Sequence, residues 1–434
     1  MKEATVIPHM TRARPPIRLL TAVPICDGHD SAISTINLEF IRQGLEVIYL
    51  GYHRSADDIA RAAVQEDVRA IGISSYNGGH VEFFTQVIRR LRERGGGETG
   101  VFGGGGGTIT HDDAKVMQKQ GVARVFFPGT SLDEIVAFVQ QTYGAPRRSS
   151  NGTAAKDIRD HRIARALTRA VEGVGTLRGH SDESPRRRRG NGSGLSTRSS
   201  RFARPRVIGI TGPGGAGKTT LIDELVLRFL RANPTIRIAV LSHDPSIVGN
   251  GALLGDRAAM LYCQDNRVFM RSLATAGRAG GLAPATERCL QVLRNQREED
   301  RFDLIFLETV GIGQEAVPFG DGLVDLKILV MSPDYGSRLQ LQKIAMLDDC
   351  DIVVVNKSDL AAAKTASSEV EHRLASNNRG QRLVSTMAKR HRDPGVDDLF
   401  QICSGTVGQC GAGASPVQAR THGRGARATR VATE

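Results

Sequence analysis

A chain of 434 residues is too long for one ordinary hydrophobic core, and 40% hydrophobic with 24% charged residues is the composition of packed globular domains. Trp is absent and aromatics make up 5% of the chain, which argues against an aromatic-lined carbohydrate or single-strand nucleic-acid surface. The net charge of +12 is local: residues 146–206 hold 16 Lys/Arg against five Asp/Glu, in a segment rich in Ser and Gly that includes Arg186–Arg189.

No run approaches the ~18 apolar residues that span a bilayer, and the N-terminus has no signal-peptide pattern. The six cysteines form no C-x-x-C pair, so they read as reduced, structural thiols. The expectation is a cytoplasmic chain with no membrane partner.

In chain order, residues 17–25, 45–51, 68–76, 100–104 and 123–127 read as strands, and 31–44, 55–67, 80–95, 112–121 and 131–144 have helical spacing. Ser55 and Ser131 are expected N-caps, each with an acid three residues on, Asp58 and Glu134. Such alternation predicts a parallel sheet with helices on both faces, a Rossmann-like (flavodoxin-like) α/β domain over 1–145. Ligands of such sheets sit at the carboxyl ends of the strands. Residues 146–204 read as a basic, solvated linker. With one aromatic in it, Phe202, its contact with an acidic partner would be weak and salt-dependent, which argues against nucleic acid. Strands at 206–212, 237–242, 267–273, 302–309, 326–332, 351–356 and 382–386 predict a second α/β domain over 205–400. Residues 401–434, with almost no apolar period, read as a disordered tail.

Gly212-Pro-Gly-Gly-Ala-Gly217-Lys218-Thr219 is a complete G-x-x-x-x-G-K-[ST] between a strand and a helix. The glycines Gly212, Gly214, Gly215 and Gly217, with Ala216 and Thr220, turn backbone N–H groups toward phosphate oxygens at the positive end of a helix. Lys218 is expected on the β/γ-phosphates and the Thr219 hydroxyl on Mg²⁺. Asn356-Lys357-Ser358-Asp359 follows a strand; the Asp359 carboxylate can accept both donors of guanine's N1/N2 edge, which adenine lacks, so GTP is the expected nucleotide. Asp244 and Glu308, at strand ends between these motifs, can hold Mg²⁺ directly or through water. The backbone of Gly311 can approach the γ-phosphate and sense hydrolysis; Lys218, Glu308 and Gly311 are the expected catalytic set. For Asp256 spacing alone decides nothing.

GPGGAGKTT, SHDPS, GALLGDR, MRSLAT, ETVGIGQ and NKSD, in that order, resemble the metallochaperone GTPases that serve adenosylcobalamin-dependent acyl-CoA mutases. The resemblance implies Mg²⁺ contacts at Thr219, Asp244, Asp256 and Glu308, and GTP hydrolysis that gates cofactor loading.

Asp27-Gly28-His29-Asp30-Ser31-Ala32 follows the first strand. A neutral imidazole on a loop is a good cobalt ligand, and a carboxylate beside it can set its tautomer; the same pair also occurs in ordinary capping loops. Ser74–His80 ends the third strand and a glycine run, Gly103–Gly107, ends the fourth, leaving a slot at the ligand edge of the sheet. These residues resemble the cobalamin-binding domain of the mutases and of methionine synthase. That resemblance implies His29 as the lower axial cobalt ligand, Asp27 as its hydrogen-bond partner, Ser74 on the buried base, and Gly103 and Gly104 along the cofactor tail. Ala32 stands where the family has Gly, and Tyr76 where it has Leu. His53, His80 and His111 read as ordinary surface or loop histidines.

This domain order is similar to that of the fused isobutyryl-CoA mutases, whose (β/α)₈ acyl-CoA domain 434 residues leave no room for. The expectation is therefore the cofactor-handling half of an acyl-CoA mutase of the isobutyryl-CoA/butyryl-CoA type, a GTPase binding adenosylcobalamin and Mg²⁺. Its expected partner is a mutase catalytic domain or subunit, and a homodimer is left open. Rival readings are a subunit of a complete two-chain mutase and a cobalamin-responsive regulator.

Overall fold

The computed structural model describes residues 15–25, 27, 31–145, 158–173, 204–246, 251–311, 317–335, 345–377 and 379–408. The first sheet is built from β1 (Arg18–Ala22), β2 (Glu46–Tyr49), β3 (Ala70–Ser74), β4 (Gly100–Gly104) and β5 (Arg124–Phe126). The helices between and after them are α1 (Ser31–Arg42), α2 (Ala56–Gln65), α3 (His80–Glu93), α4 (His111–Gln120) and α5 (Leu132–Tyr143). All pairings are parallel, in the order β5-β4-β3-β1-β2 with one further strand beyond β2.

β1 and β3 are buried along their whole length because both faces are covered. Leu20, Ile48 and Ile71 pack with Ile59 of α2 and Val87 of α3, while Leu19, Val47 and Ala70 pack with Phe40 of α1 and Val139 of α5. Ser55 caps α2 as expected: its hydroxyl accepts from the Asp58 amide at 3.1 Å and the Asp58 carboxylate accepts from the Ser55 amide at 3.3 Å. Ser131 accepts from the Glu134 amide at 3.2 Å at the start of α5.

After α6 (Arg159–Glu172), the second sheet contains β6 (Arg206–Thr211), β7 (Ile238–Asp244), β9 (Val268–Ala274), β10 (Leu304–Glu308), β11 (Leu326–Met331), β12 (Ile352–Val355) and β13 (Arg382–Ser385). They run in the order β13-β12-β11-β6-β10-β7-β9, with every pairing parallel. α7 (Lys218–Ala232) follows β6, and α9 (Thr286–Arg294) precedes β10. Further helices cover Ala345–Asp349, Ala363–Asn377 and Pro394–Gly408.

Three features differ from the sequence reading. The basic segment 146–204 is not linker throughout, since α6 lies within it: Ile163, Ala164 and Leu167 are fully buried against Cys289, Leu290 and Leu293. Their helical stripe was masked by the arginines on the other faces, which are themselves engaged, as in the ion pair of Arg162 with Asp300. The rest of the segment lies outside the described residues. The second domain does not stop at 400, because the helix Pro394–Gly408 runs on and buries Cys403 in the core with Leu399 and Val396; residues 409–434 lie outside the described residues. Finally, β8 (Ala252–Leu254), from the second block, pairs parallel with β2 and becomes the sixth strand of the first sheet. It is followed by α8 (Asp256–Ala259).

Among the described residues no helix is long and apolar enough to cross a membrane. Among those residues Cys263, Cys289 and Cys350 are free and buried, and Cys403 is buried.

Candidate functional site

In the second sheet the strand order changes direction at β6, and the loop leaving β6 is the phosphate-loop motif. Gly215 and Gly217 take φ of 73° and 91°, a left-handed backbone that few side chains tolerate. Gly214 and Gly215 are exposed and Ala216 is buried, so the loop stands over a packed base. Lys218 opens α7 and is buried; its ammonium donates to the carbonyls of Gly212 at 3.0 Å and Pro213 at 3.2 Å. Burial lowers the Lys218 pKa, against the raising fields of Glu308 and Asp256. The next hydroxyl, Thr219, donates to Glu308 Oε1 at 2.6 Å and lies 3.5 Å from Asp256 Oδ1. Thr220 is exposed.

The acidic candidates converge beside Thr219. Ser242 on β7 bonds Asp256 and lies 3.4 Å from Glu308 Oε2, so one hydroxyl spans both carboxylates. Asp244 ends β7 with its Oδ2 buried and without a partner. Burial, then the charges of Asp256 and Glu308, push Asp244 up to about 8, and burial with the Asp256 charge pushes Glu308 up to about 8. Burial raises Asp256 as well. Among the described residues no three or more His, Cys, Asp or Glu close into a ready-made metal cage. That donor set fits Mg²⁺, which keeps waters and takes one or two carboxylates with substrate phosphates, and the orphaned Asp244 oxygen fits it further.

His243, which precedes Asp244 in the SHDPS segment, fixes this cluster from behind. Its Nδ1 donates to the Glu308 carbonyl at 2.7 Å and its Nε2 lies 2.8 Å from the Thr286 hydroxyl, which also donates to Ala283 O at 2.8 Å. Burial pushes the imidazole down to about 4, which keeps it neutral at neutral pH. The signal was its position inside a buried strand, where a polar side chain must find partners.

Past Glu308, Thr309 bonds Thr211 at 2.9 Å across the strand ends. Gly311 then lies on the phosphate loop: a Cβ there would stand 2.6 Å from both Cα and N of Gly214. Residues 312–316 lie outside the described residues. On the opposite side, the Asn356 amide donates to Ala216 O at 2.9 Å, and its oxygen accepts from Thr386 Oγ1 and Ala388 N, both at 3.0 Å. It ties the phosphate loop to the loops after β12 and β13. Lys357 adopts φ 58°, and the exposed Asp359 carboxylate pairs with Lys389, which lowers its pKa. Lys389, from the loop after β13, was not anticipated.

The first sheet opens at its own switch point, between β1 and β3. A cavity of about 450 Å³ lies there, lined by Thr21, Ala32, Ser74, the glycines 103–106 and Leu132 among others. The glycines are a steric requirement: a Cβ on Gly105 would stand 1.5 Å from Ser75 O. Tyr76 lies at the slot, over Gly106, and is 42% exposed. Asp27 is fully buried, and its Oδ2 accepts from the backbone amides of Tyr76 and Asn77, so it anchors the loop after β3. His29 lies outside the described residues, as do Gly28 and Asp30. A mostly apolar slot floored by glycine backbone, with one serine, fits the flat tail of a corrinoid. His53 and His111 are exposed, as expected, but His80 is buried at the start of α3 with Nε2 3.3 Å from Asp113, because it closes the helix N-terminus onto α4.

The family model for the methylmalonyl-CoA mutase-associated GTPase MeaB matches residues 181–411, more than half of the chain. The chain belongs to that family. Residues 17–137 match the B12-binding domain, so one chain joins a B12-binding domain to a MeaB-type GTPase domain. The fused isobutyryl-CoA mutase of Cupriavidus metallidurans is 38% identical over 92% of this chain and 36% of its own length. That of Geobacillus kaustophilus is 35% identical over 92% of this chain and 37% of its own length. The chain thus spans little more than a third of these relatives. The mitochondrial methylmalonic aciduria type A homologue of Mus musculus is 34% identical over 35% of this chain and 35% of its own length. The MeaB-type GTPase takes GTP with Mg²⁺, and the first domain takes cobalamin.

Proposed function

We propose that this chain is the cofactor-handling half of an adenosylcobalamin-dependent acyl-CoA mutase of the isobutyryl-CoA/butyryl-CoA type. Its partner is a mutase catalytic domain or subunit, and isomerase activity appears only with that partner. The observation that carries this is a phosphate loop whose Thr219 hydroxyl meets Glu308 and Asp256, in a chain whose other sheet opens a glycine-floored slot.

In this reading the backbone of Gly212–Gly217, with Lys218 and Thr220, holds the phosphates, and Asn356, Lys357 and Asp359 hold guanine. Thr219 and Glu308 hold Mg²⁺ with Asp256 and Asp244, directly or through water. Gly311 reports the γ-phosphate to the segment after it. Ser74, Gly103 and Gly104 line the cofactor tail, Asp27 steadies the loop after β3, and His29 is the cobalt ligand. Cobalamin, when bound, supplies the homolysable cobalt–carbon bond of mutase chemistry, while the protein positions it. The buried free thiols of Cys263, Cys289 and Cys350 support a reducing, cytoplasmic setting.

The test uses the full chain with adenosylcobalamin and GTP·Mg²⁺. Corrinoid absorbance should co-elute with the protein, phosphate should be released from GTP, and Lys218→Ala should abolish release while leaving the corrinoid bound. A chain that retains neither corrinoid nor GTP sinks the reading.

A further inference from the structure

Asp244 and Asp256 bracket a segment that leaves the GTPase core and docks on the B12-binding domain. Where the described residues resume, the Gly251 amide donates to Ile41 O at 2.9 Å in the last turn of α1, and the Ala252 amide to Leu45 O at 3.1 Å just before β2. A Cβ on Gly251 would stand 2.1 Å from Leu45 O, so this approach is tight. β8 then pairs with β2. Asp256 turns back toward Thr219 and Ser242, and the very next side chain, Arg257, points into the first domain.

Arg257 is fully buried, and so is the carboxylate it meets. Its Nε lies 3.2 Å from Glu66 Oε1 and its Nη2 donates to Gln65 Oε1 at 3.1 Å, at the end of α2. Glu66 also accepts from the Ser272 amide at 3.0 Å on β9 and from Arg18 Nη2 at 2.9 Å on β1. A second residue of the first domain, Arg54, donates to Ala258 O at 2.8 Å. The four-residue helix carrying Asp256 therefore rests on groups of the other domain, and removing Glu66 leaves the fully buried Arg257 charge uncompensated.

We propose that Glu66, acting through Arg257, is a positioning residue for the divalent cation of the GTPase site. The B12-binding domain supplies the support that aims Asp256, so cation affinity depends on an intact seam between the domains. Binding at either site is then linked to the other, since whatever shifts the seam shifts Asp256, and such linkage is reciprocal. This rests on the GTP·Mg²⁺ reading above.

The test measures Mn²⁺ binding to the full chain with GDP, by the electron paramagnetic resonance signal of free Mn²⁺, alongside GDP affinity in EDTA. Supports behind metal ligands are worth about 10–100-fold in metal affinity, and that loss is expected for Glu66→Gln and for Arg257→Met. The double variant should bind Mn²⁺ no more weakly than Arg257→Met alone, because both act along one path. GDP affinity in EDTA should stay at the wild-type value. A Mn²⁺ affinity within twofold of wild type in Glu66→Gln overturns the proposal, and so does an equal loss of metal-free GDP binding, which marks a purely structural role. If wild type binds GDP but neither variant changes Mn²⁺ binding, only the seam is wrong; if wild type binds no GDP at all, the nucleotide reading fails with it. Should Glu66→Gln not fold, Arg54→Gln carries the same expectation, weaker Mn²⁺ binding with metal-free GDP binding retained, and the same refutation.

Discussion

Replacing His243 by Asn tests whether the Glu308 strand end is held by a neutral imidazole. The Asn amide can occupy the place of Nδ1 and donate to the Glu308 carbonyl, but it cannot titrate. In the native chain the imidazole is fully buried and its pKa falls from 6.5 to about 4. Above pH 6.5 the group is neutral folded or unfolded. Between 6.5 and 4 the unfolded chain takes up a proton that the folded chain refuses, so stability is lost as pH falls through that window. At about 1.4 kcal/mol per pH unit, the gap amounts to about 3 kcal/mol. Urea unfolding at pH 7.5, 6.0, 5.0 and 4.0 should therefore show His243→Asn losing about 3 kcal/mol less than wild type across the series. Imidazole NMR should find one histidine that does not titrate above pH 5. Parallel stability curves, or every histidine titrating near 6.5, would refute the argument.

Mg²⁺ binding should release protons at pH 7, because Asp244 and Glu308 sit near 8 without a cation and must ionise to ligate one. Calorimetry in buffers of different ionisation enthalpy reads this directly, and a buffer-independent heat counts against it. The same carboxyls are raised above their unfolded values, so their contribution to the metal-free fold is present at low pH and fades from about pH 4 to 8; the thermal shift given by Mg²⁺·GDP should grow over that range. Gly311→Ala presses a methyl 2.6 Å from Gly214 backbone that cannot yield like a side chain; it should slow GTP hydrolysis at least tenfold, and an unchanged phosphate-release rate refutes the close approach. Leu167→Ala should cost about 2–5 kcal/mol in chemical denaturation because α6 is core, whereas a solvated linker would give no change.

Sequence patterns revealed what is local. The phosphate loop was legible because its glycines, lysine and threonine are adjacent and sit between a strand and a helix. The parallel order of the first sheet followed from the alternation of strand and helix. Long-range partnerships were not legible. The Asp27 carboxylate accepts from the amides of Tyr76 and Asn77, which only the β1–β3 adjacency brings near, while its expected partner His29 lies outside the described residues. Glu66 and Arg257 are 191 positions apart. β8 has three residues, too few for a period to emerge, with Leu253 left 44% exposed between buried Ala252 and Leu254. α6 was hidden for the opposite reason: its stripe of Ile163, Ala164 and Leu167 is short beside the arginines that set the segment's charge.

The loan of β8 to the neighbouring sheet bears on how the chain can be divided. β2 is an inner strand only while Ala252–Leu254 lies beside it. A fragment ending at residue 145 would present the bare amides and carbonyls of Glu46–Tyr49 to other copies of itself, an invitation to edge-to-edge aggregation. Supplying the missing half in trans should quench it, so the two modules are better regarded as one interlocked body than as beads on a string.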